Sequence, residues 1–145
     1  SMLGVGVSFA LAAKLTHPAA NAVVISGDGA FLSGGLGIEA AFQEKAPIVV
    51  VIDNNGGLTT ISQQQERLFG HDRHVATDFR DIPFHTMCEG LGGYGELVED
   101  AHEIVPAVRR ALSSGLTACV NVRTRGVISP IVAAVTSRRD KASIE

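Results

Sequence analysis

Two polar side chains stand out because each follows an apolar run typical of a buried strand. Asp28 lies between two glycines after the run 22–25, and Asn55 closes an asparagine pair after the run 48–52. The interval 35–45 has apolar residues at helical spacing, which predicts a crossover helix between two parallel strands. Because the carboxyl ends of parallel strands share one edge of a sheet, we expect Asp28 and Asn55 to lie side by side.

A carboxylate and a carboxamide at such an edge predict a site for a hard cation and an anionic ligand. Mg²⁺ prefers oxygen ligands and usually takes one or two from the protein and the rest from phosphates and water. Asp28, Asn55, one backbone carbonyl and phosphate oxygens would form such a shell. The glycines beside Asp28 allow close backbone approach and offer amides near a helix start, which suits a phosphate. These residues therefore predict a Mg²⁺-diphosphate site.

The sequence has a GDG motif, then a strand-helix-strand interval, and then an NN pair. This pattern resembles the signature of thiamine diphosphate-dependent enzymes. The resemblance covers nearly the whole chain and implies their diphosphate-binding domain, with thiamine diphosphate and Mg²⁺ as cofactors. It implies that Asp28 and Asn55 are side-chain metal ligands and that Gly57 gives its backbone carbonyl. Gly29 and Ala30 would offer amides to the diphosphate. The full set of cofactor-binding residues implied is Leu3, Gly27, Asp28, Gly29, Ala30, Asn55, Gly57, Leu58, Thr59, Thr60 and Ile61.

The segment 1–15 is almost entirely apolar after its first glycines, which predicts a helix buried against the sheet or a partner. In the resembling enzymes a bulky apolar residue before the first glycine wedges beneath the cofactor, and Leu3 holds that position. The alternative is an N-terminal core contact. The segment 56–69 predicts a glycine-rich turn and an amphipathic helix, and the resemblance implies that Thr60 and Ile61 face the cofactor and Gln64 the substrate. A solvated face is the alternative for the glutamines.

The remaining elements alternate between strand and helix, which predicts a doubly wound parallel sheet with helices on both faces. Pro83 is expected to start a helix over 83–89, and 95–98 forms a short strand. A helix over 101–112 has Val105 on its apolar stripe, and 118–122 is the last strand. The polar segment 70–81 holds His71 and His74, and a surface loop is favoured there over a zinc site.

A C-terminal extension, 126–145, follows a cofactor-binding domain spanning 1–125. Its cations allow two interpretations: an extension packing on a neighbour, or a lid holding phosphates such as those of coenzyme A. The resembling 2-hydroxyacyl-CoA lyases and oxalyl-CoA decarboxylases use the second arrangement, and the Ser137-Arg138 pair resembles their closing element.

Composition excludes several classes of protein. The net charge of -3 and pI near 5.9 argue against a nucleic-acid binder, and no apolar run reaches membrane-spanning length. Cys88 and Cys119 lack metal-type spacing and are expected to be reduced core residues. The start of the chain does not resemble a signal peptide, which predicts a cytoplasmic location.

No catalytic residue is expected in this chain. In the resembling enzymes a glutamate of a separate pyrimidine-binding domain activates the cofactor, whereas Glu39, Glu44 and Glu66 belong to predicted helices of this domain. The active site would therefore be completed by a pyrimidine-binding domain of the same or another chain, in a homo- or hetero-oligomer.

The resemblance implies a carbon-carbon lyase or carboligase acting on a carbonyl or acyl-CoA substrate. Gln64 stands where acetolactate synthases typically have a tryptophan, so a 2-hydroxyacyl-CoA lyase is the favoured hypothesis. The alternatives are an acetolactate synthase-like transferase, a 2-keto acid decarboxylase, or a non-catalytic assembly module. A generic nucleotide-binding domain is disfavoured because neither GxGxxG nor GKS/T is present.

Overall fold

The fold is an α/β sheet structure. The computed structural model describes residues 2–71, 73–127, 130 and 133. Within those residues, four parallel strands form one sheet in the order β1-β2-β4-β3. The strands are β1 (Val23–Gly27), β2 (Val49–Asn54), β3 (Tyr94–Val98) and β4 (Ala118–Arg123). The two central strands are buried on both faces, which is why their sequences are mostly β-branched and other small apolar residues.

Helices connect these strands and cover both faces of the sheet. The α-helices are α1 (Gly6–Thr16), α2 (Asp28–Gly34), α3 (Ile38–Gln43), α4 (Thr59–Phe69), α5 (Phe84–Gly90) and α6 (Ile104–Ser113). Short 3₁₀ turns at Gly35–Gly37 and Ala101–Glu103 precede α3 and α6. The predicted order of elements is confirmed, with boundaries shifted by one to a few residues.

Two apolar clusters form the core, one on each face of the sheet. Val50 and Ile52 of β2, with Ile48 just before the strand, pack with α1, α2, α3 and α5 on the first face. The other β2 residues, Val49 and Val51, pack with α6 on the second face. This alternation along one strand gives the doubly wound architecture that the sequence predicted.

Two details of the sequence prediction were wrong. The crossover helix is broken into α2, a 3₁₀ turn and α3, so Leu36 is 74% exposed instead of lying on an apolar helix face. Helix α1 packs on the sheet by one side, and Phe9 on its other side is 70% exposed, so its burial against a partner stays a prediction. Val105 is 58% exposed because α6 turns Ala107 and Ala111 toward the sheet, where their small side chains permit close packing.

The chain divides into two compact units. One comprises Ser1–Asn55 and Ile82–Thr124 and contains the sheet, while the other comprises Gly56–Asp81 and Arg125–Glu145 and contains α4. The predicted boundary between residues 125 and 126 stays a prediction. The Ser137-Arg138 pair and the basic residues around it lie outside the described residues.

Candidate functional site

In the sheet-containing unit, the predicted site residues Gly27 to Ala30 and Asn55 lie at the carboxyl ends of neighbouring strands. Strand β1 ends at Gly27, and α2 begins at Asp28 without an intervening loop. Gly27 pairs with Asp53 of β2, and Asn55 follows β2 directly. Hydrogen-bonded strands lie about 4.8 Å apart. Asp28 and Asn55 therefore leave adjacent strands at the same edge of the sheet, as expected for open α/β sheets that bind ligands there.

Asp28 combines burial with a defined orientation. The residue is 2% exposed, and its Oδ1 accepts a hydrogen bond of 2.6 Å from the Gly29 amide. The Ser33 hydroxyl in turn donates to the Gly29 carbonyl at 2.9 Å. A buried carboxylate is costly unless it is paired, hydrogen-bonded or bound to a metal. Asp28 is therefore suited to hold a cation at the start of α2.

Gly27 leaves open space beside the backbone just before this carboxylate. A Cβ atom built on Gly27 would have nothing within 4 Å. Because no protein atom requires a glycine there, the space is available to a ligand approaching the backbone closely. The oxygen-bearing donor set at the same edge matches the preference of Mg²⁺. The residues of this unit fit a diphosphate with its cation.

The turn after Asn55 is set by the second unit's own backbone pairing. Gly57 forms an antiparallel bridge with Asp78, and the Leu58 amide donates to the Thr77 carbonyl at 2.8 Å. A Cβ atom at Gly57 would lie 2.3 Å from that carbonyl, so only glycine permits this approach. The segment 77–79 thus fixes the course of residues 56–58, which include two of the predicted cofactor-binding residues.

Thr77 contributes a buried hydroxyl of the kind that a ligand or an ordered water normally satisfies. The residue is 2% exposed, and its Oγ1 has no hydrogen-bond partner among the described residues. Thr77 lies directly beside Leu58, whose amide donates to the Thr77 carbonyl. An orphaned buried donor beside Leu58 is consistent with a site that binds a polar group.

Two further predicted positions can be located in the structure. Leu3 is 57% exposed, which argues against the alternative that it is a core contact. In α4, Gln63 donates to the Val127 carbonyl at 2.7 Å, and Gly126 lies so close to Thr59 that a Cβ would be 2.8 Å from its methyl group. The start of the C-terminal extension therefore packs along the first turns of α4.

In the histidine-containing loop, His74 contacts two carboxylates, those of Glu66 and Asp78, and we call these three residues the His74 clamp. The two His74 ring nitrogens lie 2.8 Å from Glu66 Oε1 and 3.2 Å from Asp78 Oδ2. The hydrogen bonds to Asp78 and then to Glu66 raise the pKa of His74. No group of three His, Cys, Asp or Glu residues that could hold a metal was found in the described part of the chain.

Both thiols belong to the core, as predicted. Cys88 and Cys119 are buried and free. A hydrogen bond with Cys88, followed by burial, raises the pKa of the Cys119 thiol, which disfavours its reactive thiolate form.

Sequence reasoning missed several polar groups near the site. Asn54 and Asn121 are buried and hydrogen-bonded to each other, and Asn121 also contacts His85. Asn121 lies in the otherwise apolar strand sequence ACVNV, and that interruption was an available signal. Thr77 left no comparable signal because its segment lacks a periodic pattern.

The fold and the site together define an α/β domain whose candidate cofactor site lies at the carboxyl edge of a parallel sheet. The family model of the thiamine pyrophosphate enzyme C-terminal TPP binding domain matches residues 1–122. The chain belongs to this family. In the described residues no helix is long and apolar enough to cross a membrane.

Similar proteins come from several branches of the family. A probable acetolactate synthase of Mycobacterium bovis is 39% identical over 84% of this chain, and 2-hydroxyacyl-CoA lyase 2 of Bos taurus is 35% identical over 75%. A solved structure of the thiamine diphosphate-dependent 4-hydroxybenzoylformate decarboxylase of Rhodococcus jostii superposes with a TM-score of 0.77 and 28% identity over 88% of this chain. The matches cover 22%, 17% and 24% of those proteins, so the chain spans about a fifth of their length.

Proposed function

We propose that this chain anchors thiamine diphosphate through Mg²⁺ in an enzyme that cleaves or forms a carbon-carbon bond next to a carbonyl. The observation that carries the proposal is the strand register, which sets Asp28 and Asn55 behind paired ends of β1 and β2. Asp28 and Asn55 would bind the cation by their side chains, and Gly57 by its carbonyl. When bound, the cofactor supplies a nucleophilic thiazolium carbon and an electron sink.

The remaining residues of the proposed site bind and orient. The amides of Gly29 and Ala30, in the first turn of α2, would donate to the diphosphate. Leu58 to Ile61 would contact the cofactor from the turn and first residues of α4, and Leu3 would support its bent shape. We assign no proton transfer to this chain. A pyrimidine-binding domain, in the same polypeptide or in another subunit, would supply the activating glutamate.

Calorimetric titration of the full-length protein with thiamine diphosphate tests the proposal. We expect binding that requires Mg²⁺ and that weakens at least about tenfold in Asp28→Asn and Asn55→Leu, because a hydrogen bond or ion contact to a charged group is worth about 1.5–3 kcal/mol. Asp53→Asn is the matched control, since Asp53 pairs with Gly27 from the neighbouring strand. Equal affinity in Asp28→Asn and Asp53→Asn would contradict the ligand assignment.

The substrate class is a separate part of the proposal. We favour a 2-hydroxyacyl-CoA over pyruvate because Gln64 replaces the tryptophan typical of acetolactate synthases and because the extension is basic. Relatives named for both activities support the broader lyase and carboligase class. Turnover of pyruvate without turnover of a 2-hydroxyacyl-CoA would favour the acetolactate synthase alternative, and turnover of an aryl 2-keto acid alone would favour a decarboxylase.

Deletion of residues 137–145 tests the proposed role of the extension. We expect a higher KM for the acyl-CoA substrate and an unchanged KM for a small carbonyl substrate, because only the former carries phosphates for the cations to hold. An unaltered KM for acyl-CoA would favour an extension that packs on a neighbour. Absence of Mg²⁺-dependent cofactor binding in the unsubstituted protein would favour the non-catalytic assembly module.

A further inference from the structure

We infer that Asn121 and His85 are positioning residues for the cation-binding end of β2, and that they act through the side chain of Asn54. The inference rests on the proposed function, in which Asn55 binds the cation. All of these residues belong to the sheet-containing unit.

A chain of buried hydrogen bonds connects these side chains. Asn54 Nδ2 donates to the Ile82 carbonyl at 3.4 Å and to Asn121 Oδ1 at 3.1 Å. Asn121 Nδ2 lies 3.3 Å from His85 Nδ1. Asn121 is fully buried, and Asn54 is 9% exposed. These hydrogen bonds therefore link Asn54, the last residue of β2, to β4 and to α5.

The Ile82 carbonyl, at one end of this series of hydrogen bonds, determines which group donates in each of them. The Ile82 oxygen can only accept, so Asn54 must present its NH₂ group there, and the same nitrogen faces Asn121. Asn121 must then present its oxygen to Asn54 and its NH₂ group to His85. His85 Nδ1 must accept, which places the proton of the neutral ring on Nε2.

These hydrogen bonds hold the end of β2, after which Asn55 follows. The Asn54 carbonyl accepts a hydrogen bond of 2.9 Å from the Thr124 amide, so both the backbone and the side chain of Asn54 are fixed. The next residue along the chain is Asn55. With Asn54 held on both sides, the backbone angle at which Asn55 leaves the sheet is restricted before any ligand binds, which lowers the ordering cost of binding.

Stability alone does not account for an asparagine at this place. Cys119, which faces the same side of the sheet, is fully buried in the apolar core, and an apolar side chain in a buried position is commonly as stabilising as a polar network. A satisfied polar network instead selects one arrangement of its members. We therefore assign to Asn121 an effect on cofactor affinity in addition to its effect on folding.

The test compares two fully buried positions of β4 in the full-length protein. Cys119 lies two residues before Asn121 and so faces the same side of the sheet. We expect Asn121→Leu to bind thiamine diphosphate and Mg²⁺ about tenfold more weakly, as is common when groups that orient a metal ligand are lost. Cys119→Ala is expected to unfold at lower denaturant concentration and to keep wild-type affinity. Wild-type affinity in Asn121→Leu would overturn the inference.

A second variant keeps the inference testable if Asn121→Leu does not fold. Asn121→Asp still accepts from Asn54 but cannot donate to His85, so the imidazole should carry its proton on Nδ1. We expect affinity within about threefold of wild type, since an acceptor for Asn54 remains. Nitrogen NMR should show the Nε2-protonated ring in the unsubstituted protein and a proton on Nδ1 in the variant.

The outcomes separate this inference from the proposed function. An Nδ1-protonated His85 in the unsubstituted protein, or an equal affinity loss in Asn121→Asp and Asn121→Leu, overturns the positioning chain. A lack of cofactor binding in the unsubstituted protein overturns the proposed function, and the NMR measurement still decides the polarity of the chain.

Discussion

At the scale of single residues, the site depends on where buried oxygen and nitrogen atoms find partners. Asp28 is buried with an oxygen held by its own helix, and Asn121 is buried with both ends of its amide engaged. Thr77 differs because its hydroxyl has no partner among the described residues. A buried hydroxyl without a partner destabilises a protein by about 1–3 kcal/mol, and a ligand or an ordered water removes that cost by supplying one.

We expect Thr77→Val to leave the free energy of unfolding of the unbound protein unchanged or raised, because the substitution removes an unsatisfied polar atom at nearly constant volume. The measurement is chemical denaturation without cofactor. Ser62→Ala is the control, since the Ser62 hydroxyl is also buried but donates to the Leu58 carbonyl at 3.4 Å. A loss of more than about 1 kcal/mol in Thr77→Val would mean that the hydroxyl already has a partner.

At the scale of elements, the connection between β1 and β2 places a helix start at Asp28, the proposed metal ligand. Helix α2 begins at Asp28 because the chain turns directly from extended backbone at Gly27 into helix. A continuous crossover helix beginning at residue 35 would have left Asp28 in a loop. The break into α2 and α3 therefore gives the carboxylate a fixed orientation from its own first turn.

The clamp formed by His74 joins α4 to the segment that pairs with Gly57. The hydrogen bonds to Asp78 and Glu66 raise the pKa of His74 in the folded protein. His74 therefore contributes fully to the free energy of unfolding at pH values below its pKa in the unfolded protein, about 6.5. This contribution is lost as the pH rises through the higher pKa of the folded protein.

We expect the stability difference between the wild type and His74→Gln to shrink as the pH rises from 5.5 to 8.5, about the range over which histidines titrate. Denaturant midpoints at a series of pH values would measure it. His17→Gln controls for the loss of a histidine without two carboxylate partners, since the His17 ring contacts the Thr16 hydroxyl. Parallel pH profiles for wild type and His74→Gln would contradict a stabilising clamp.

At the scale of the whole molecule, one part of the sheet surface is uncovered. Val23 and Ile25 of β1 pair with Val49 and Val51 of β2, so they face the side covered by α6. On β2 these positions are buried, whereas on β1 they are 45% and 77% exposed. Exposed apolar groups on a sheet that is otherwise covered are typical of a surface that contacts further protein.

We expect the 145-residue chain on its own to self-associate or bind a hydrophobic dye through this surface, and Ile25→Thr to reduce both effects at little cost in stability. Threonine keeps the β-branched shape that strands favour. Val50→Thr on the buried side is the control, and it should lower stability because its hydroxyl would be buried. A monomeric chain without dye binding, measured by sedimentation and fluorescence, would contradict this expectation.

The amino-acid sequence by itself determined the order of strands and helices, the fold class and the family. Apolar runs and helical spacing are local properties, and the GDG and NN motifs lie beside the strands that they follow. The polar clusters at Asp28 and Asn55 were therefore predictable, since the carboxyl ends of parallel strands always meet at one edge.

Only the tertiary structure decided which distant residues support that edge. The strand order β1-β2-β4-β3 brings Asn121 to Asn54 across 67 residues, and His85 to Asn121 across 36. Likewise, the need for glycine at position 57 arises from the Thr77 carbonyl. Such contacts depend on how separate elements pair and pack, so no periodicity in the sequence predicts them. Local pattern specified the elements, and non-local packing set the polar contacts around the proposed cofactor site.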